Sequence, residues 1–169
     1  FTEEENNRGQ KFLRDVGLQT GSRFVCLLVR DPVYKENNQN HDGNRDWSYH
    51  NYRDSDIDIF DQAALSLAEK GYWVFRMGKG VSKPFNAKHY RILDYANSLN
   101  QNDFLDMWLA ANCYFMISSG AGLDSVAFFS RRPVVQINFL PFIVMNTVYK
   151  FICIPKYLKW KSTGALLTF

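Results

Sequence analysis

The chain has 169 residues, of which 46% are hydrophobic and 22% charged, and a net charge of +3. That length and balance suit one globular domain with a real core and exclude a disordered chain. Lysines and arginines form no run of the kind that grips nucleic acid, so a nucleic-acid partner is not expected.

Residues 3–16 place acidic side chains first and basic ones later, with Phe12, Leu13 and Val16 on one side; this predicts an amphipathic helix ended at Gly17. The apolar run from Arg23 to Val29 predicts a strand buried on both faces, closed by Arg30-Asp31-Pro32. A polar loop from Tyr34 to Tyr52 follows, of a length that is usually functional or disordered. Asp54-Ser55-Asp56 predicts a cap for a helix carrying Ile57, Phe60, Ala64, Leu67 and Ala68, with Gly71 as the left-handed residue behind it. Tyr72–Phe75 predicts a second strand ending in Arg76-Met77-Gly78, and Ile92–Tyr95 a short third one. Asp103 opens a helix with Phe104, Leu105, Trp108 and Leu109. Cys113–Ile117 predicts a strand that runs into Ser118-Ser119-Gly120-Ala121-Gly122, then a helix over Leu123–Phe129 and a strand over Val134–Ile137 that stops at Asn138. Residues 143–169 yield no clear element.

Strand–helix alternation predicts an α/β fold: a doubly wound, mostly parallel sheet with helices on both faces, one Rossmann-like domain over residues 1–169. Cys26, Cys113 and Cys153 each sit in an apolar run, which predicts buried free thiols in a reducing compartment. The most apolar tract, Val134 to Ile154, contains Gln136, Asn138, Pro141, Asn146 and Lys150 and makes a poor membrane span. The start at Phe1 suggests a piece of a longer protein.

In a doubly wound sheet, ligands bind beyond the carboxyl ends of the strands. Arg30, Asp31, Arg76, Gly78, Ser118 to Gly122 and Asn138 fall there in the predicted order, and the His50-Asn51-Tyr52-Arg53 segment precedes the first crossover helix. Arginine forks and the backbone N–H groups of a small-residue turn suit a diphosphate. Each feature has an ordinary alternative. Arg30, Arg53 and Arg76 could pair with carboxylates, and the Ser118–Gly122 turn lacks a P-loop lysine and could be a plain strand-to-helix connection. His50 and Asp31 are the candidate catalytic bases; His50 could equally be a solvated loop residue, and Asp31 could simply hold Arg30. His41 and His89 carry weaker cases. The Asp54–Asp58 run superficially suggests a metal motif, but capping of the helix that follows is the simpler reading, and no metal site is expected.

The segments LLVRD (Leu27–Asp31), HNYRDSDID (His50–Asp58), KGYWVFRMG (Lys70–Gly78) and the stretch Asp103–Phe142 resemble a family of bacterial glycosyltransferases. The strand, Ser/Gly turn, helix and PVV strand of the last stretch are similar to the donor-binding domain of GT-B enzymes. The resemblance implies a two-domain, metal-independent, cytoplasmic enzyme that moves a sugar from a nucleoside-diphosphate sugar to a glycan or glycoconjugate, with no other cofactor. It leaves room for peripheral association with the inner face of the membrane. By that likeness Arg30, Arg53, Arg76 and the Ser118–Gly122 turn hold the nucleotide. A nucleotide-sugar epimerase on the same fold and a non-catalytic binding domain remain as alternatives.

Overall fold

A computed structural model of the chain describes residues 1–33, 48–141 and 150–167. Most of the predicted polar loop, with His41, lies outside those residues, as does Phe142.

Helix α1 (Glu3–Asp15) opens with Thr2, whose side chain accepts from the Glu5 N–H while Glu5 returns a bond to the Thr2 N–H. Strand β1 (Phe24–Leu28) is buried throughout. A 3-10 segment (Ser48–Arg53) and a second one (Ile57–Phe60) lead into α2 (Asp61–Glu69). Asp56 caps the second segment by accepting from the Asp58 N–H, as the sequence predicts. Gly71, at φ +92°, ends α2 while the Tyr72 N–H reaches back to the Leu67 carbonyl. Strand β2 (Trp73–Met77), strand β3 (Ile92–Leu93), helix α3 (Asp103–Asn112), strand β4 (Phe115–Ser118), helix α4 (Asp124–Phe129), strand β5 (Val134–Phe139) and strand β6 (Phe151–Pro155) complete the chain.

The six strands pair in parallel in the order β3-β2-β1-β4-β5-β6. Alternation along β1 divides the core. Phe24, Cys26 and Leu28 join the cluster built from α1, α3 and α4, whereas Val25, Leu27 and Val29 join the one under α2. Right-handed crossovers produce that division, because the chain moves one way from β1 to β2 and the other way from β3 to β4 and β5. α1 docks closely on α3: a Cβ at Gly9 would lie 2.1 Å from the Trp108 ring, so only glycine fits. Cys26 and Cys113 are buried, Cys153 on β6 is half-buried, and all three are free thiols. Among the described residues no helix is long and apolar enough to cross a membrane.

Two expected strand ends lie further along the chain. β2 runs on through Arg76 and Met77, which the sequence reading placed beyond the strand. β5 runs on through Asn138, which takes φ +57° at a register shift against β6 rather than ending the strand. The tail also supplies β6, which was not expected.

Candidate functional site

The strand order reverses direction at β1, with β2 on one side and β4 on the other. Such a point leaves a crevice beyond the carboxyl ends of the strands. A cavity of about 600 Å³ lies there, walled by Arg30 and Asp31 after β1, Gly78 to Val81 after β2, Asp106 and Met107 of α3, and Ala121 to Leu123 after β4.

Two guanidinium groups from distant parts of the chain meet at its rim. Arg53 Nη2 donates to the Gly120 carbonyl at 3.2 Å, and Arg30 Nη1 reaches the same oxygen at 3.5 Å. Arg30 Nε also donates to Asp54 at 3.1 Å, so Asp54, not Asp31, is its carboxylate. Burial and the adjacent Arg53 charge lower the Arg30 pKa from its usual value, against the pull of Asp54. A guanidinium stays charged through such a shift. Arg53 Nε is buried and has no hydrogen-bond partner among the described residues.

A third cation was not foreseen. Lys156, just past β6, donates to the carbonyls of Tyr52 at 2.8 Å and Asp54 at 2.6 Å. Burial lowers its ammonium pKa, against the opposing effect of Asp54. Three half-buried cations thus gather here: Arg30 on the Asp54 carboxylate, Lys156 on the Asp54 carbonyl, and Arg53 beside Arg30 on the Gly120 carbonyl. Lys156 carried no local signal; only the pairing of β6 with β5 brings it to residues 52–54.

The Ser118–Gly122 turn does two jobs, and not all of it faces a ligand. Ser118 and Ser119 are buried. The Ser119 N–H bonds the Leu28 carbonyl, the Ser119 Oγ accepts from the Arg30 N–H at 2.7 Å, and the Gly120 N–H bonds Ser118 Oγ. These donors are consumed inside the protein, so the expectation of a continuous row of open amides is corrected. Ala121, Gly122 and Leu123 line the cavity; the Ala121 N–H bonds the Asp124 carboxylate, and no acceptor among the described residues takes the Gly122 or Leu123 N–H. Gly120 holds φ +85°, and a Cβ there would come within 2.9 Å of the Phe139 ring.

Other expected residues lie elsewhere or are occupied. Arg76 sits opposite Leu27 in the sheet, is 1% exposed and pairs with Asp94 at 3.2 Å; it does not join the rim. The Asp31 carboxylate accepts from the Val33 N–H and from the N–H and hydroxyl of Ser82, so it anchors the loop after β2. That use of both oxygens leaves it poorly placed as a free base. Gly78 does line the cavity, at φ +148°. His50 lies three residues before Arg53 in the same 3-10 segment, with its ring 4.0 Å from that of Tyr49. Asn138 stands at the bulge of β5. His89 is used locally: its Nδ1 accepts from the Arg91 N–H at the start of β3. Asp56 and Asp58 share Lys83, each at 2.6 Å, in keeping with a capping and ion-pair role.

No family model matches the chain, and no curated protein matches it by sequence. Among solved structures, the chain is similar to the ADP-heptose LPS heptosyltransferase II of E. coli, with a TM-score of 0.59 and 13% identity over 94% of this chain. It spans 44% of the length of that protein. A likeness at this identity concerns the backbone and not the side chains of the site. The chain has the α/β fold of one Rossmann-like half of a GT-B glycosyltransferase.

Proposed function

We propose that this domain binds the nucleoside-diphosphate part of a sugar donor and serves a glycosyltransferase acting on a glycan or glycoconjugate. The observation that carries the reading is the convergence of Arg30 and Arg53 on Gly120, at the rim of a cavity beyond β1 and β4. Of the three cations there, only Arg30 pairs with a carboxylate among the described residues, which leaves positive charge in a half-buried place. A diphosphate would offset that charge, and the open amides of Gly122 and Leu123 would donate to its oxygens.

The same cations would stabilise the leaving diphosphate as the glycosidic bond breaks, so no metal ion is required by this scheme. His50, beside Arg53 in the chain, is the candidate base for an acceptor hydroxyl. Residues outside this chain would complete the acceptor site. A cytoplasmic setting belongs to the same reading. The structural likeness to a heptosyltransferase supports the class of reaction and leaves the sugar, base and acceptor open.

Thermal unfolding with and without ADP, GDP or UDP, and no added metal, tests the reading. Binding at about 100 times the dissociation constant stabilises a fold by about 2.7 kcal/mol. Arg53→Lys keeps the charge but loses the fork, and should reduce the shift. No shift with any nucleoside diphosphate would overturn the proposal and favour a non-catalytic scaffold. Release of a modified sugar nucleotide without acceptor would favour an epimerase.

A further inference from the structure

Beneath the Ser118–Gly122 turn lies a buried polar cluster that plays no direct part in the proposed binding. Asp124, the first residue of α4, is 7% exposed, and its Oδ2 accepts from Ser118 Oγ at 2.9 Å and from Gln136 Nε2 at 3.3 Å. Among the described residues no cation pairs with it, although the Ala121 N–H also bonds it and the Arg53 charge acts on it. A buried carboxylate so placed is costly unless hydrogen bonds compensate, and burial indeed raises its pKa against the Ser118 and Gln136 bonds.

The bonds leading out of this cluster end at the rim. A serine hydroxyl has one proton. With that proton given to Asp124, the Ser118 Oγ lone pairs are left for the Gly120 N–H, which donates at 3.0 Å. The other side of the same glycine, its carbonyl, receives Arg53 and Arg30. Asp124 therefore fixes the direction of one hydroxyl, the hydroxyl fixes the Gly120 peptide, and that peptide locates two guanidinium groups. Glycine at φ +85° is free to take several conformations, so a hydrogen bond that fixes its peptide limits where the carbonyl can point.

We propose that Asp124 is a positioning residue for the anion site, acting through Ser118 and Gly120 on Arg30 and Arg53. This rests on the reading of the site as a nucleoside-diphosphate site. Asp124 touches no ligand itself: it is buried beneath the turn with its carboxylate taken by Ser118 and Gln136.

The test is calorimetric titration of the wild-type chain, Asp124→Asn, Ser118→Ala and the double variant with UDP, GDP or ADP and with the matching nucleoside. Asp124→Asn keeps the shape of the side chain but places an amide where a carboxylate accepted. The expected result is about tenfold weaker binding of the diphosphate, with nucleoside binding unchanged. The double variant should bind as weakly as either single one, because both break the same chain of bonds. Equal weakening of nucleoside and diphosphate, or fully additive losses, would overturn the proposal by reducing Asp124 to a structural residue. So would an Asp124→Asn variant that binds the diphosphate as well as the wild type. If Asp124→Asn fails to fold, Ser118→Ala alone decides, since it leaves the carboxylate in place and cuts the next link. Failure of the wild type to bind any nucleoside diphosphate would instead sink the parent reading.

Discussion

Gly120 and Gly122 are two residues apart and meet different demands. Gly120 lies at φ +85° with Phe139 2.9 Å from where a Cβ would stand, whereas Gly122 has open space around that position and no left-handed backbone. Gly120→Ala should therefore cost roughly 1–2 kcal/mol from its backbone alone, and more from the aromatic contact. Gly122→Ala should stay within about 0.5 kcal/mol of the parent. Urea unfolding of the two variants checks this; similar losses in both would contradict the distinction. Asp106 on α3 supplies a pH-dependent case. Burial raises its carboxyl pKa, so the folded form holds a proton at a pH where the unfolded form has released it. The sign follows: stability from this group is present below the ordinary carboxylate pKa and falls as pH rises through the raised value. Asp106→Asn should flatten that decline, which sets in as the pH rises above the ordinary carboxylate range. An unchanged slope of unfolding free energy against pH would show that Asp106 does not titrate this way.

At the scale of elements, β2 shows what a strand boundary decides. Cutting the strand at Phe75 puts Arg76 on the ligand edge; two more residues put it inside the sheet, with its guanidinium on Asp94. Asp94 also accepts from the Phe85 N–H and from Asn97 Nδ2, so the pair organises the return from β2 to β3. Arg76→Met should destabilise the fold by roughly 3 kcal/mol, because it leaves a partly buried carboxylate without its cation. Its nucleotide affinity, measured below the melting range, should remain near that of the parent; a large loss would return Arg76 to the binding site. The apolar runs of β1, β2, β4 and β5 were legible because both faces of those strands are covered, which gives unbroken hydrophobic sequence. β6 was not. It is an edge strand with Ile152 and Ile154 exposed, and its polar neighbours Lys150 and Lys156 blur the run. Arg30 and the Ser118–Gly122 turn could be placed on the ligand edge from the β1 and β4 runs alone, whereas Arg53 was placed there only by its position ahead of the first crossover helix. Lys156, Asp54 as the partner of Arg30, and the Asp124–Ser118 link depend on contacts between segments far apart in the chain, and no spacing encodes them.

For the molecule as a whole, one sheet edge gathers the positive groups, the open backbone amides and the cavity. The strand order makes this possible: opposite crossovers on the two sides of β1 part the connecting segments there and leave room beyond the strand ends. Arg30, Arg53 and Lys156 come from just past β1, from the segment before α2 and from just past β6, so the site exists only when the complete sheet has formed. Residue-resolved amide chemical shifts during titration with a nucleoside diphosphate test this placement most directly. The account predicts that Arg30, Gly120, Ala121, Gly122 and Leu123 move first and furthest, followed by Gly78 to Val81. Shifts centred on the opposite end of the sheet, around Arg23, Tyr72 and Tyr114, or no shifts at saturating ligand, would contradict it.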